Sequence, residues 1–138
     1  MQKNHQDGTK ERWEHQWRHE AHGRIYRKWH GTDISQKALP KYEGLPKAMN
    51  AVMIQLRTGK IRLKSYLYGI RAAETGDCEC GQDLQTVRHV VCECPLLSSR
   101  RKALLGRTTV WDIRQVLNDE KQLIQAARLV TESGLLGQ

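Results

Sequence analysis

Cys78-Glu-Cys80-Gly81, a short spacer, and His89-Val-Val-Cys92-Glu-Cys94-Pro95 together hold all four cysteines of the chain and one of its six histidines. Thiols and an imidazole crowded in this way are the donors a tetrahedral zinc ion takes, with Zn–S near ~2.3 Å and Zn–N near ~2.0 Å. A chain built round such a site has its middle fixed by the need to bring the two halves of the cluster together. Five donors compete for four places. Cys78 and Cys80 form a tight pair, and Gly81 lets the backbone turn back so that amide N–H groups face the sulfurs. The second half offers His89, Cys92 and Cys94. A helical turn over 85–91, with Thr86 as its N-cap, puts His89 and Cys92 on one face at i, i+3. Cys94 then lies past the end of that turn, before Pro95. Two ligand sets remain open: Cys78, Cys80, His89 and Cys94, or the four-cysteine set that uses Cys92. Either is a closed, thiolate-rich site of the structural zinc type. The spacing C-x-C is less specific than C-x-x-C, but the gathering of every cysteine into one window argues against four unrelated thiols.

On both sides of the cluster the hydrophobic pattern is helical. Residues 1–8 are polar and predict a disordered start. Thr9 is the N-cap expected for a helix carrying Trp13, Trp17, Ala21 and Ile25 at spacing four, which breaks near Gly23 and resumes through Tyr26 and Trp29. His15 and His19, at i, i+4, are read as polar face residues rather than ligands. Residues 31–44 have the composition of a linker. Leu45, Ala48, Met49, Val52, Met53 and Leu56 follow one helical stripe without a miss, with Pro46 in the first turn and Gly59 as the C′ residue. Leu63, Tyr66, Leu67 and Ile70 mark a second helix at once. Beyond the cysteines come a short helix around Arg100-Arg101-Lys102, another over Val110–Leu117 capped by Thr108 or Thr109, and a last one carrying Leu123, Ala126, Ala127 and Val130. Asn118-Asp119 separates these two, and Ser133-Gly134 closes the last. No segment sustains the period-two alternation of a half-buried strand. The expected fold is all-α: a small helical bundle with a Cys/His zinc-binding turn in its middle. The divisions are 1–8, disordered; 9–44, a Trp-rich basic helix and linker; and 45–138, a helical domain with the site embedded at 78–95.

Charge divides the chain in the same place. Residues 1–74 carry fifteen Lys/Arg against seven Asp/Glu, whereas residues 75–138 carry eight of each, so the whole net charge of +8 lies in the first half. Basic surface of this kind suits a phosphate backbone. Arg57, Lys60, Arg62 and Lys64, on and between the two central helices, are the candidate nucleic-acid contacts, to RNA or DNA. The same residues also fit the charged outer face of any helical hairpin. No apolar run approaches the ~20 residues of a membrane span, and no apolar leader opens the chain. Cysteines in such a chain fit an intracellular protein that uses them for metal rather than disulfides.

The motif Leu56-Arg-Thr-Gly59-Lys60-Ile61-Arg-Leu63, then Tyr66-Leu67, Cys-x-Cys-Gly, Thr86-Val-x-His89-Val and Cys94-Pro95 resembles the C-terminal region of fungal non-LTR retrotransposon polyproteins. That region lies downstream of the reverse transcriptase and ribonuclease H domains. Leu117-Asn-Asp119, Ala126-Ala-Arg128, Thr131 and Gly134-Leu-Leu-Gly137 fit it too, as does the leading Trp13/Trp17 helix with Gly23-Arg24. The match covers about residues 11–138. The resemblance implies a zinc set of Cys78, Cys80, His89 and Cys94, with Cys92 standing where the family usually has an aliphatic residue. It also implies a nuclear setting, an RNA or DNA partner, and a neighbouring RNase H or reverse transcriptase domain. Neither an Asp-Asp polymerase dyad nor a nuclease carboxylate set is found, so no enzymatic role and no small-molecule substrate is expected.

Overall fold

The computed structural model describes residues 2–30, 44–108 and 110–137. Its helices are α1 (Gln2–His19), α2 (Arg24–His30), α3 (Lys47–Thr58), α4 (Lys64–Gly69), α5 (Ser98–Leu105), α6 (Ile113–Asn118) and α7 (Glu120–Glu132). A π-helical turn spans His89–Glu93, and 3₁₀ turns span Pro95–Leu97 and Leu135–Gly137. Among the described residues the only extended pairing is an isolated antiparallel bridge between Asp77 and Leu84. The all-α expectation therefore holds.

The body is organised on α7, which packs against α3, α5, α6 and the π-turn. Its sequence suits that place. Leu123, Ala126, Ala127, Leu129 and Val130 are buried, and the two alanines let neighbouring backbones come close while the larger side chains fill the space between them. Asp119 caps it, accepting from the Gln122 N–H at 3.0 Å, so Asn118-Asp119 does separate α6 from α7. Asn118 also ties the first half to the second: its Nδ2 donates to the Trp29 carbonyl at 3.1 Å and to that of Arg114 at 2.7 Å.

Helix α3 delivers Met53 and Leu56, both fully buried, to this core, while Ala48, on the edge of the predicted stripe, is exposed. Gly59 ends α3 in the left-handed region (φ 76°), its N–H bonded to Gln55 O at 2.9 Å. A Cβ at Gly59 would stand 3.0 Å from Ile25 Cγ2, so the turn needs glycine for its φ and for the approach of α2. The following turn buries Ile61 and Leu63, and α4 buries Leu67.

Several expectations change. The helix of α1 begins at Gln2, so the backbone of residues 2–8 is helical and Thr9 sits inside the helix instead of capping it. Residues 31–43 of the expected linker lie outside the described residues. Helix α6 is capped by Asp112, which accepts from Arg114 N at 2.9 Å, because a carboxylate caps at least as well as the threonines upstream. Val110 consequently lies before the helix and is exposed. Helix α2 packs on α3 and α6 with Trp29 against the core, so it is part of the same body as the helices after residue 45. By contrast Trp13 is 60% exposed, and Trp17 meets α2 through Tyr26 and the Arg27 guanidinium, 4.7 Å from its ring.

Truncation should separate core from surface sharply. Leu129→Ala, at a fully buried position, is expected to lower unfolding free energy by ~2–5 kcal/mol. Val110→Ala should change it by less than ~0.5 kcal/mol. Denaturant midpoints of the two variants check this.

Candidate metal centre

The first half of the site is a small hairpin. Cys78 N donates to Asp83 O at 2.9 Å and Gln85 N to Gly76 O at 2.8 Å, flanking the Asp77–Leu84 bridge. At its tip Gly81 has φ 75°, its N–H reaches Cys78 O at 3.0 Å, and the next amide, Gln82 N, points at Cys80 Sγ from 3.5 Å. Amides therefore face the sulfur, as the glycine at 81 predicts. That Gln82 N–H is the main cause holding the Cys80 thiol below its ordinary value, against the opposing effect of burial. Gln85 locks the hairpin's return to α4: its buried Oε1 accepts from Lys64 N at 2.8 Å, and its carbonyl accepts from Ser65 N at 3.3 Å.

The second half is the π-turn. Thr86 Oγ1 accepts from His89 N at 3.1 Å, in the capping role expected of it. The turn then widens, closing with Cys94 N on His89 O, 2.6 Å, five residues apart. The extra residue brings His89 and Cys94 to one side. Cys92 goes to the other and packs in the hydrophobic core with Val90, Val91 and residues of α7. An ordinary helical turn would have paired His89 with Cys92 at i, i+3; the π-turn replaces that face. Burial pushes the Cys92 thiol up to about 11, in keeping with a protonated core residue.

Cys78, Cys80, His89 and Cys94 converge, with their donor atoms all within 4.8 Å of one another. Cys78 Sγ to Cys94 Sγ is 3.7 Å and Cys80 Sγ to His89 Nε2 is 3.2 Å. A tetrahedron with the metal–sulfur and metal–nitrogen lengths of zinc has S···S edges near ~3.8 Å and S···N edges near ~3.5 Å. Donor set and spacing thus both fit a four-coordinate metal. Cys78, His89 and Cys94 are buried and Cys80 half-buried. Burial, with Cys78 adding to it, raises the Cys94 thiol to about 11, so a metal must displace protons to form its thiolate bonds. The other nitrogen of His89, Nδ1, lies 3.9 Å from Glu93 Oε2, and Arg88 Nε holds Glu93 Oε1 at 3.2 Å. A carboxylate behind a ligating imidazole is the usual means of fixing its tautomer.

One residue of this site was hidden in a basic run. Arg101 is 3% exposed. Its Nε donates to Val91 O at 2.7 Å, and its Nη2 to Val90 O at 3.0 Å and Cys94 O at 2.9 Å, while the guanidinium lies 5.5 Å from the Trp111 ring. It thereby gives the Val90 and Val91 carbonyls of the π-turn a buried donor and adds a second one to the Cys94 carbonyl, which also accepts from Leu97 N at 3.2 Å. The signal was present: Leu97, Arg101, Leu104 and Leu105 share one helical stripe, so the arginine stands on the apolar face.

The four candidate phosphate contacts divide. Arg57 is 4% exposed, its guanidinium 5.4 Å from the Tyr26 ring; it faces α2, because its position on α3 follows Met53 and Leu56 into the interior. That corrects its reading as a surface contact. Lys64 is half-buried and 3.5 Å from Glu79. Lys60 and Arg62 are exposed on the turn between α3 and α4. His15 and His19 stack with ring centroids 4.5 Å apart, and His19 Nδ1 lies 2.8 Å from the His15 carbonyl, an arrangement internal to α1.

A hairpin and a π-turn giving two donors each, set in an all-α body, define a small helical module with a candidate Cys₃His metal centre. Over 116 residues the chain is 24% identical to the "Retrovirus-related Pol polyprotein from type-1 retrotransposable element R1 3" of the insect Nasonia vitripennis. That similarity supports a retrotransposon relation. The alignment takes in 80% of this chain and 29% of the relative, so the chain spans less than a third of that protein's length. No family model matches the chain, and no solved structure matches it.

Substitution at the two kinds of cysteine should give opposite results. If the tetrad holds a metal, Cys80→Ser is expected to lower metal content and to reduce helicity with it, since binding energy is folding energy in such sites. Cys92→Ala should keep the metal content of the parent chain. Metal analysis and circular dichroism on the two purified variants decide it; unchanged metal content in Cys80→Ser refutes the ligand set.

Proposed function

We propose that the chain is a zinc-stabilised nucleic-acid-binding module, equivalent to the C-terminal segment of a retrotransposon reverse transcriptase/RNase H polyprotein and working in the nucleus. The observation that carries this reading is the exposure of Lys60 and Arg62 on a turn whose following helix is locked to the metal hairpin through Gln85. A rigid, positively charged turn beside a closed metal site is suited to gripping phosphates. The relative's printed name, a Pol polyprotein of a retrotransposable element, agrees in kind, and the motif match to fungal elements gives the finer assignment. In this reading all four donors serve the metal, no coordination position is kept for chemistry, and the zinc is structural. Polymerase and nuclease steps belong to other parts of such a polyprotein. No helix among the described residues is long and apolar enough to cross a membrane.

Trp13 favours a second reading. A tryptophan 60% exposed on α1 is an unusual surface residue, and it suits a helix that docks on an adjoining RNase H or reverse transcriptase domain.

Fluorescence anisotropy over a salt series tests the first reading. Affinity for nucleic acid should fall linearly on a log–log plot with salt, and the Lys60→Ala/Arg62→Ala double variant should reduce the slope by about 2. Arg57→Met should lower stability and leave the slope unchanged. Affinity that does not respond to salt overturns the proposal.

A further inference from the structure

A groove of about 480 Å³ opens between α2, the α3–α4 turn, α4 and the return of the metal hairpin over Gln85–Arg88. Its volume falls within the ~300–1,000 Å³ typical of ligand sites. The floor is Ile61 and Leu63, the walls carry Trp29 and Tyr66, and Ile25 and Ile70 stand at its mouth, 46% and 54% exposed. Apolar side chains left open together in this way mark a binding surface. Its charged lining consists of Lys28 and Arg88, with no carboxylate. Lys60 and Arg62, both exposed, immediately precede the floor residues Ile61 and Leu63 in the chain, so the rim carries more positive charge. Arg88 is 65% exposed and holds only the exposed Glu93, a pairing that costs little to exchange.

We propose that this groove takes unpaired bases of a single-stranded nucleic acid, whose phosphates lie on the cations of the rim; the inference rests on the nucleic-acid reading above. A duplex keeps its base faces inside and presents phosphates, for which an aromatic and aliphatic floor has no use. A single strand offers both parts at once: a π-face for Trp29 and Tyr66 and a phosphate for each cation. An uncharged apolar protein segment would cover the rim and leave Lys28 and Arg88 desolvated against it, which is unfavourable. The metal centre shapes the site, because Arg88 immediately precedes the donor His89 and the wall it belongs to is the chain between the two halves of the tetrad.

The test uses the full zinc-loaded chain with labelled oligo(U), oligo(dT) and a hairpin duplex. Oligo(U) or oligo(dT) should bind more tightly than the duplex. Tyr66→Ala should weaken single-strand binding roughly tenfold while leaving the salt slope and duplex binding unchanged, and Tyr66→Phe should retain affinity because the stacking face survives. Ile70→Gln, at an exposed position that the fold does not need, should shift affinity in the same direction by several-fold. If Tyr66→Ala and Ile70→Gln bind single strands like the parent chain while affinity still falls with salt, the groove proposal is lost and the phosphate-binding reading stands; the groove then belongs to a protein partner. Salt-independent binding to all three probes removes both.

Discussion

Three thiols and an imidazole share one small space in the middle of this fold. Within 4.8 Å of one another, they must either stay protonated and weakly associated or surrender protons to a cation. The rest of the molecule is arranged to hold that crowding in place. Gly81 and the Gln82 amide shape the hairpin, the π-turn brings His89 and Cys94 round together, and Arg101 bonds the Val90 and Val91 carbonyls of the π-turn. A buried guanidinium with three carbonyl acceptors is a strong fastening, and removing it would take that donor from the Val90 and Val91 carbonyls in the interior, while Cys94 O would keep its bond from Leu97 N. The Cys/His tetrad, the π-turn and Arg101 are therefore parts of one structure, and α5 is tied to the candidate site through Arg101.

The same fastening orders the surface. Gln85 joins the hairpin to α4, Asn118 joins α6 to α2, and Gly59 lets α2 approach the end of α3. These ties set the groove walls and hold the Lys60–Arg62 turn against a firm base. Positive charge in this chain is divided between interior and surface. Arg57 and Arg101 are consumed inside, over Tyr26 and Trp111, whereas Lys60 and Arg62 stay exposed on the turn between α3 and α4.

The helices were largely legible because their stripes are set by packing on one core: α3 with Met53 and Leu56, α7 with Leu123, Ala126 and Val130. The convergence of Cys78, Cys80, His89 and Cys94 was legible as one of two sets, and the motif match named it. The geometry that selects it was not. A π-turn has no sequence period of its own, so the i, i+3 pairing of His89 with Cys92 looked natural until one residue was added to the turn. Net charge gave a basic half but could not say which cations point inward; Arg57 required knowing that α2 covers that face of α3. Arg101 sat on an apolar stripe in plain view, masked by the flanking Arg100 and Lys102. Local rules of this kind yield where tertiary contacts decide.

The central claim is that one histidine and three cysteines, not four cysteines, hold the metal, because the π-turn sends Cys92 into the core. X-ray absorption at the zinc edge on the purified chain measures this directly. The account predicts a first shell of three sulfurs at ~2.3 Å and one nitrogen at ~2.0 Å, with the outer-shell scattering of an imidazole. A shell of four sulfurs would contradict it, and with it the role given to the π-turn.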